Sequence, residues 1–150
     1  MAAAREVNRA QSDCMATKIA QALGSLSGKQ VGVLGLAFKP NTNSVAGSSS
    51  ILLVRSLTER GTVVRAYDPA AIPAAMHELE DSVRFCENAY LAADAADALV
   101  VGTGWPEFRA LDFDRVRKLL RKPLIIDTKN LLDCHRLRSM GYQYIGMGRS

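Results

Sequence analysis

Short apolar runs alternate with amphipathic segments along most of this chain. The runs predict strands at residues 30–34, 63–67, 83–85, 98–102, 124–127 and 142–145. Apolar positions at helical spacing predict the intervening helices, at residues 49–60, 70–80, 89–93, 113–121 and 134–140. Apolar strands that alternate with amphipathic helices are typical of βαβ units, whose right-handed crossovers place helices on both faces of a parallel sheet. The pattern therefore predicts an α/β fold, a Rossmann-like three-layer sandwich with a mostly parallel sheet.

The segment before the first strand has a different character. Apolar positions such as Met15 and Ile19 are spaced as on one face of a helix over residues 4–23. The helix is weakly apolar, so we expect a connector or packing arm rather than the centre of a core. We therefore divide the chain into an N-terminal connector helix, residues 1–27, and a Rossmann-like domain, residues 28–150. The helix also offers a surface to a partner, and a homodimer stays open.

The loop after the first strand carries the first candidate chemistry. Residues 31–42 read VGVLGLAFKPNT, so an apolar run is followed by Gly35 and then by Phe38 and Lys39. A strand, a loop and a helix in this order place the loop at the carboxyl edge of a parallel sheet, where open α/β domains bind ligands. A lysine among backbone amides near a helix start suits an anionic ligand such as a phosphate. The alternative is a solvated lysine, since glycine and lysine at this spacing after a strand are common.

The same loop lacks the glycine pattern of a dinucleotide site. Gly32 falls inside the predicted strand, and no glycine follows Gly35 at the spacing of a Gly-x-Gly-x-x-Gly motif. Asp68, at the end of the second strand, either binds a ribose or forms a turn with Pro69 that begins the next helix, and we favour the turn. The sequence therefore predicts a Rossmann-like sheet without the standard pyrophosphate loop, and it does not predict NAD binding by this chain alone.

Further candidate residues follow the fourth and fifth strands. Trp105 comes after the fourth strand and Lys129 after the fifth. If the strand order brings these loops next to Lys39, the edge holds two cations, an aromatic ring, a hydroxyl and two amides, which suits a phosphorylated ligand with a base or sugar. Structural alternatives exist for each side chain. Trp105 and Phe38 could be packing residues, and Lys129 could be a solvated surface charge. Asp127 could fix its own loop by accepting hydrogen bonds from backbone amides.

Composition narrows the function classes. The chain has 150 residues, is 48% hydrophobic and carries a net charge of +4, which fits one folded domain. The densest basic cluster, residues 115–122, lies on and just after a predicted amphipathic helix and contains no aromatic residue, so we expect no nucleic-acid binding. The three cysteines, Cys14, Cys86 and Cys134, form no CxxC pair, so neither a metal site nor a redox motif is predicted.

Catalytic and targeting motifs do not stand out. The histidines are His77 and His135, and neither belongs to a Ser-His-acid or a His-x-x-x-His pattern. The residues therefore favour ligand binding over chemistry. There is neither a signal peptide nor a long apolar run, so we expect a cytoplasmic protein without membrane contact.

Six motifs occur in an order that resembles a known family. They are residues 31–42, 64–69 (VRAYDP), 96–101 (ADALVV), 103–108 (TGWPEF), 127–130 (DTKN) and 144–148 (YIGMG). Together they resemble the C-terminal, UDP-binding domain of the UDP-glucose/GDP-mannose dehydrogenase family, and most closely its UDP-glucose 6-dehydrogenases, over about residues 28–149. The first helix resembles the end of the long central helix of that family.

The resemblance implies a function and a set of missing parts. Enzymes of the family oxidise a nucleotide sugar twice with NAD; an N-terminal domain binds NAD, and a central helical domain carries the catalytic cysteine and much of the dimer contact. The C-terminal domain binds the nucleotide part of the UDP-sugar. By position, Phe38 and Lys39 match the substrate-binding Phe-Lys pair, and Lys129 stands where the family usually has an arginine that grips the sugar nucleotide. The resemblance thus implies a fragment that binds UDP-sugar, has no catalytic residue of its own and is inactive alone, whereas the complete enzyme oxidises UDP-glucose to UDP-glucuronate.

The chain departs from the family pattern around the same pocket. Residues 42–46 read Thr-Asn-Ser-Val-Ala where the family usually has Thr-Asp-Asp-x-Arg, so Ala46 replaces the arginine that reaches the NAD phosphates. Gly104 replaces a glutamate, and Lys129 keeps the charge of the arginine but loses its bidentate fork. These departures leave a second hypothesis, a degenerate, non-catalytic binding or oligomerisation module with the same fold. A third hypothesis is a small dinucleotide-binding protein, which tight NAD binding by this chain alone would support.

Overall fold

The structure, a computed structural model, describes the backbone of residues 2–146 and the side chains of residues 10–146. The end of the last motif, at Met147 and Gly148, lies outside the described residues. In chain order the elements are α1 (Ala2–Leu23), β1 (Gln30–Leu34), α2 (Ser49–Glu59), β2 (Val63–Tyr67), α3 (Ile72–Leu79), β3 (Val83–Phe85), α4 (Ala89–Ala93), β4 (Ala98–Val101), α5 (Phe113–Leu119), β5 (Leu124–Asp127), α6 (Cys134–Ser139) and β6 (Gln143–Gly146). Short 3₁₀ helices follow α3 (Glu80–Ser82) and β4 (Pro106–Ala110).

The strands of the described chain form one parallel sheet in the order β3-β2-β1-β4-β5-β6. Leu34 lies beside Tyr67 on one side and Val101 on the other, and Val101 lies beside Asp127. The carboxyl ends of β2, β1, β4 and β5 therefore meet at one edge. The strand order reverses between β1 and β4, which is the position where open α/β sheets leave a crevice for a ligand.

Helices cover both faces of the sheet, as the alternating pattern predicted. Val31 and Val33 of β1 pack in a core with α1, α2 and α3, whereas Leu34 packs with α4, α5 and α6. Gly32 allows α4 to lie close to the sheet, because a Cβ at this position would be 2.4 Å from the carbonyl oxygen of Ala92. The predicted three-layer α/β sandwich is confirmed.

The predicted strand boundaries are correct to within one residue, but some helix boundaries differ for local reasons. α3 begins at Ile72 rather than at residue 70. The amides of the two residues before it donate hydrogen bonds to the carboxylate of Asp68, so these residues form a turn instead. It ends before Glu80, whose positive φ of 50° interrupts the helix. The 3₁₀ helix Pro106–Ala110 was not predicted, since a short segment with one proline and mixed polarity has no clear periodicity.

The first helix is packed more deeply than its weakly apolar sequence predicts. Met15, Ala16 and Ile19 are at most 5% exposed and belong to the core that covers one face of the sheet. The ammonium group of Lys122 donates a hydrogen bond to the carbonyl of Ala22 near the end of α1, at 2.7 Å. The C-terminal half of α1 thus packs on the sheet core as an arm, because its few apolar residues share one face and α2 covers them. The domain boundary after residue 27 stays a prediction.

Candidate functional site

Three loops that carry candidate residues leave the sheet at the same edge. They follow β1, β4 and β5, which are neighbours in the sheet. Neighbouring strands lie about 4.8 Å apart, so the ends of β1 and β5 are roughly 10 Å apart, with β4 between them. The structure thus brings the loops of Lys39 and Lys129 to one edge, on either side of the loop that carries Trp105.

Buried side chains hold the turn after β1, which we call the β1 turn (residues 36–37). The Asp68 carboxylate, through Oδ2, accepts hydrogen bonds from the amides of Leu36 and Ala37 at 2.8 and 2.9 Å. The Ser48 hydroxyl donates to the carbonyl of Leu36 at 2.7 Å, and the Thr103 hydroxyl donates to the carbonyl of Ala37 at 2.8 Å. Side chains from three different elements therefore satisfy both amides and both carbonyls of the β1 turn, which fixes its backbone.

Phe38 and Lys39 come directly after this fixed turn. The Phe38 side chain is 51% exposed, and Lys39 is exposed. The amide of Phe38 donates to the carbonyl of Ser44 at 2.9 Å, and Asn41 has a positive φ of 65°, so the loop folds back on itself. Phe38 is therefore not a core residue. Its ring and the neighbouring cation are both accessible to a ligand or to another domain.

A buried carboxylate also braces the loop after β5. Asp127 is fully buried and accepts hydrogen bonds from the amide of Leu132 and the hydroxyl of Tyr144, both at 2.8 Å. It also accepts one from the amide of Lys129 at 3.2 Å. The prediction that Asp127 fixes its own loop is confirmed. The backbone of Lys129 is thereby held in place while its side chain is exposed.

Lys129 lines a cavity between α1 and the sheet edge. The cavity has a volume of about 190 Å³, and its other walls are formed by Ser12 and Met15 of α1, Leu53 of α2, Gly102 and Thr128 among others. Typical ligand pockets measure roughly 300–1,000 Å³, so this cavity fits one part of a ligand rather than a whole nucleotide sugar. Of the residues proposed from the sequence, Lys129 lines it, whereas Lys39 and Trp105 do not.

Trp105 belongs to the opposite face of the sheet. Its ring packs against the core formed with α4, α5 and α6, and its indole N–H donates to Oδ2 of Asp68 at 3.0 Å. On the same face, the Tyr67 hydroxyl donates to the Glu107 carboxylate at 3.3 Å, and partial burial together with that carboxylate raises the pKa of Tyr67. The half-buried indole is thus fixed by packing and one hydrogen bond, as its structural alternative predicted.

These contacts do not fit a dinucleotide at the β1 turn. In dinucleotide-binding folds the amides after the first strand bind the pyrophosphate, and an acid at the end of the second strand binds a ribose. Here the two amides bind Asp68, which is only 2% exposed. Its other oxygen accepts from the amides of Ala70 and Ala71, both at 2.8 Å, which confirms the turn. The protein itself uses both groups that a dinucleotide would need.

Sequence reasoning missed that Asp68 holds the β1 turn as well as its own turn. The available signal was an acid directly after β2. The contact of Asp68 with the β1 turn, however, requires the register that pairs Leu34 with Tyr67. Ser48 was missed too. It is the N-cap of α2, accepting from the amide of Ile51, and it also donates to the β1 turn.

Other parts of the described chain show no comparable arrangement of candidate residues. An open groove of about 640 Å³ at the β3 edge is lined by Val63, Met76 and Glu80 among others, and contains neither predicted lysine. Among the described side chains, residues 10–146, no cluster of histidine, cysteine or acidic residues is arranged to hold a metal ion. No helix within residues 2–146 is long and apolar enough to cross a membrane.

Comparison with known proteins places this geometry in a family. The model of the UDP binding domain of the UDP-glucose/GDP-mannose dehydrogenase family matches residues 32–134. The chain is 38% identical over 144 residues to the UDP-glucose 6-dehydrogenase TuaD of Bacillus subtilis, covering 96% of this chain and 31% of the relative. It is 40% identical over 131 residues to a UDP-glucose 6-dehydrogenase of Rhizobium meliloti, covering 87% and 30%.

A solved structure agrees with these relatives. The UDP-glucose dehydrogenase of the hyperthermophilic archaeon Pyrobaculum islandicum superimposes with a TM-score of 0.75 at 30% identity, covering 97% of this chain and 30% of that one. The chain thus spans about a third of the length of the relatives it matches. The six motifs, the parallel sheet and the matched domain model agree, and the chain belongs to the UDP-glucose/GDP-mannose dehydrogenase family.

Proposed function

We propose that this chain binds the UDP part of a nucleotide sugar within an NAD-dependent enzyme of the UDP-glucose 6-dehydrogenase type, which oxidises UDP-glucose to UDP-glucuronate. The parts that bind NAD and carry the catalytic cysteine belong to the remainder of that enzyme. NAD is the cofactor of the complete enzyme, and the β1 turn of this chain does not fit it. This chain contributes binding and orientation of the substrate, with Phe38, Lys39 and Lys129 as the contact residues.

One observation carries the proposal. Two loops, each with an exposed lysine and each braced by a buried carboxylate, leave the sheet at the same edge. Their roots are roughly 10 Å apart, a separation that one nucleotide sugar spans. Ammonium groups bind phosphate oxygens, and the exposed ring of Phe38 offers an apolar surface to a sugar or base.

The proposed partners are a UDP-sugar and the remaining domains of the enzyme. A homodimer that involves α1 stays a prediction. We also propose a cytoplasmic location, since Cys14, Cys86 and Cys134 are free, as expected in a reducing compartment.

Isothermal titration calorimetry with UDP and UDP-glucose tests the proposal on this chain. We expect measurable binding, and we expect both Lys39→Ala and Lys129→Ala to weaken it. Both lysines are exposed, so each contact is worth about 1 kcal/mol, which corresponds to roughly a fivefold rise in Kd. The variant with both substitutions should lose the two contributions together.

Lys118→Ala is the matched control, because Lys118 is an exposed lysine near the end of α5, at the opposite edge of the sheet. This substitution removes the same charge and should leave Kd unchanged. If all three substitutions weaken UDP binding equally, the effect comes from the net charge of the chain, and the assigned contacts are wrong. No heat at millimolar UDP would refute UDP binding and favour the degenerate module, and tight NAD binding would favour the dinucleotide-binding hypothesis.

A further inference from the structure

Five hydrogen-bond donors converge on one buried carboxylate at the root of the proposed substrate loop. Asp68 is 2% exposed. One of its oxygens, Oδ2, accepts from the amides of Leu36 and Ala37 and from the indole N–H of Trp105, and Oδ1 accepts from the two amides directly before α3. This carboxylate therefore joins three structural elements at the sheet edge: the β1 turn, the loop after β4 and the turn before α3.

We propose that Asp68 is a positioning residue that fixes the Phe38–Lys39 segment for phosphate binding and couples this segment to Trp105. The inference rests on the proposed function, since it needs a ligand at Lys39. The coupling runs through one atom, because Oδ2 of Asp68 holds both the β1 turn, directly before Phe38, and the indole on the opposite face of the sheet. A ligand that moves the loop changes the hydrogen bond to Trp105.

Hydrogen-bond geometry makes a carboxylate necessary at this position. An asparagine has one acceptor oxygen and one NH₂ group, which only donates. If the NH₂ group replaced Oδ2, it would oppose the amides of Leu36 and Ala37 and the indole; if it replaced Oδ1, it would oppose the amides of Ala70 and Ala71. Both orientations place a donor against at least two buried donors, so Asp68→Asn must displace one of these segments.

The chain contains a single tryptophan, so its indole N–H resonance is assigned without ambiguity and reports on the hydrogen bond to Asp68. We expect UDP to shift the Trp105 indole resonance in the wild-type chain and to slow hydrogen exchange at the amides of Leu36 and Ala37. In Asp68→Asn we expect the indole resonance to move before any ligand is added. We also expect Kd for UDP to rise about tenfold, and the UDP-induced indole shift to disappear.

Asp97→Asn is the matched control. The Asp97 carboxylate accepts one hydrogen bond, from the backbone amide of Gln30 at 2.9 Å, at the opposite edge of the sheet. The substitution removes the same charge, but one remaining oxygen is enough for its single donor. The Kd of this variant for UDP should stay within about twofold of the wild-type value. Its indole resonance should not shift.

The outcomes separate the two proposals. Wild-type binding of UDP together with an equal Kd in Asp68→Asn overturns the positioning role and leaves the proposed function standing, whereas no binding by the wild-type chain overturns both. A UDP-induced indole shift that persists in Asp68→Asn means direct contact with the ligand and overturns the coupling. If Asp68→Asn does not fold, the wild-type measurements decide: unchanged indole and amide signals at saturating UDP overturn the inference.

Discussion

Ile19→Ala tests whether α1 and the sheet domain unfold as one unit. Ile19 is fully buried in the core on the α1 side of the sheet. The substitution removes three carbon atoms, at about 0.8 kcal/mol each, so the loss of burial alone costs about 2.4 kcal/mol. The cavity left behind adds to this, and buried isoleucine to alanine changes typically cost about 2–5 kcal/mol. We therefore expect a destabilisation of about 3 kcal/mol.

Urea unfolding, followed by Trp105 fluorescence and by far-ultraviolet circular dichroism, measures the effect. Trp105 packs in the core on the other face of the sheet, so its signal moves with Ile19→Ala only if α1 and the whole sheet unfold together. Both signals should report the same lowered midpoint. Lys18→Ala, on the exposed side of the same helix, is the control and should change stability by less than about 0.5 kcal/mol.

A cost of Ile19→Ala below about 0.5 kcal/mol by Trp105 fluorescence would contradict the unfolding of α1 and the sheet as one unit. A separate early transition in circular dichroism, without a change at Trp105, would also refute it. Either result would mean that α1 is an appended arm, as its weakly apolar sequence predicts, and that its buried contacts contribute little to the domain.

Two further predictions concern buried polar side chains. Asp127→Asn leaves one acceptor oxygen where the carboxylate accepted from Lys129, Leu132 and Tyr144, so urea unfolding should show a loss of about 2 kcal/mol; a loss below about 0.5 kcal/mol would contradict the bracing role. Burial raises the pKa of Tyr142, whose hydroxyl donates to the carbonyl of Phe113, to about 12. Because this folded-state pKa is above the value of about 10 in an unfolded chain, its contribution is complete below pH 10 and is lost as the pH rises towards 12. The urea midpoint should therefore fall more steeply over that range in the wild-type chain than in Tyr142→Phe, and equal slopes would contradict it.

The fold could be predicted because its signals are local. The central strands β4 and β5 are buried on both faces, so they appear in the sequence as continuous apolar runs. The helices that alternate with the strands are amphipathic and show a single apolar face. The loops after β1 and β5 could be assigned to the carboxyl edge for the same reason, since every parallel strand ends at that edge. The sequence therefore predicts that Lys39 and Lys129 lie at this edge, whereas their contact with a ligand is a proposal.

The roles of Asp68 and α1 could not be predicted, because they depend on contacts between distant segments. Asp68 was interpreted as a turn residue, and its hydrogen bonds to residues about thirty positions earlier follow from the pairing of β1 with β2. The burial of Ile19 depends on α2, which covers it. A weakly apolar helix has no local signal for this, since few buried residues are enough when a neighbouring helix supplies the rest of the core.

Local patterns in the sequence specify which segments are strands, which are helices and which loops carry the lysines, because backbone propensity and apolar periodicity act over a few residues. The folded arrangement alone shows that β4 separates β1 from β5, that one carboxylate holds the β1 turn and the indole, and that α1 packs on the core. These features depend on strand pairing and helix packing between segments far apart in the chain, and such contacts exist only once the whole sheet has formed.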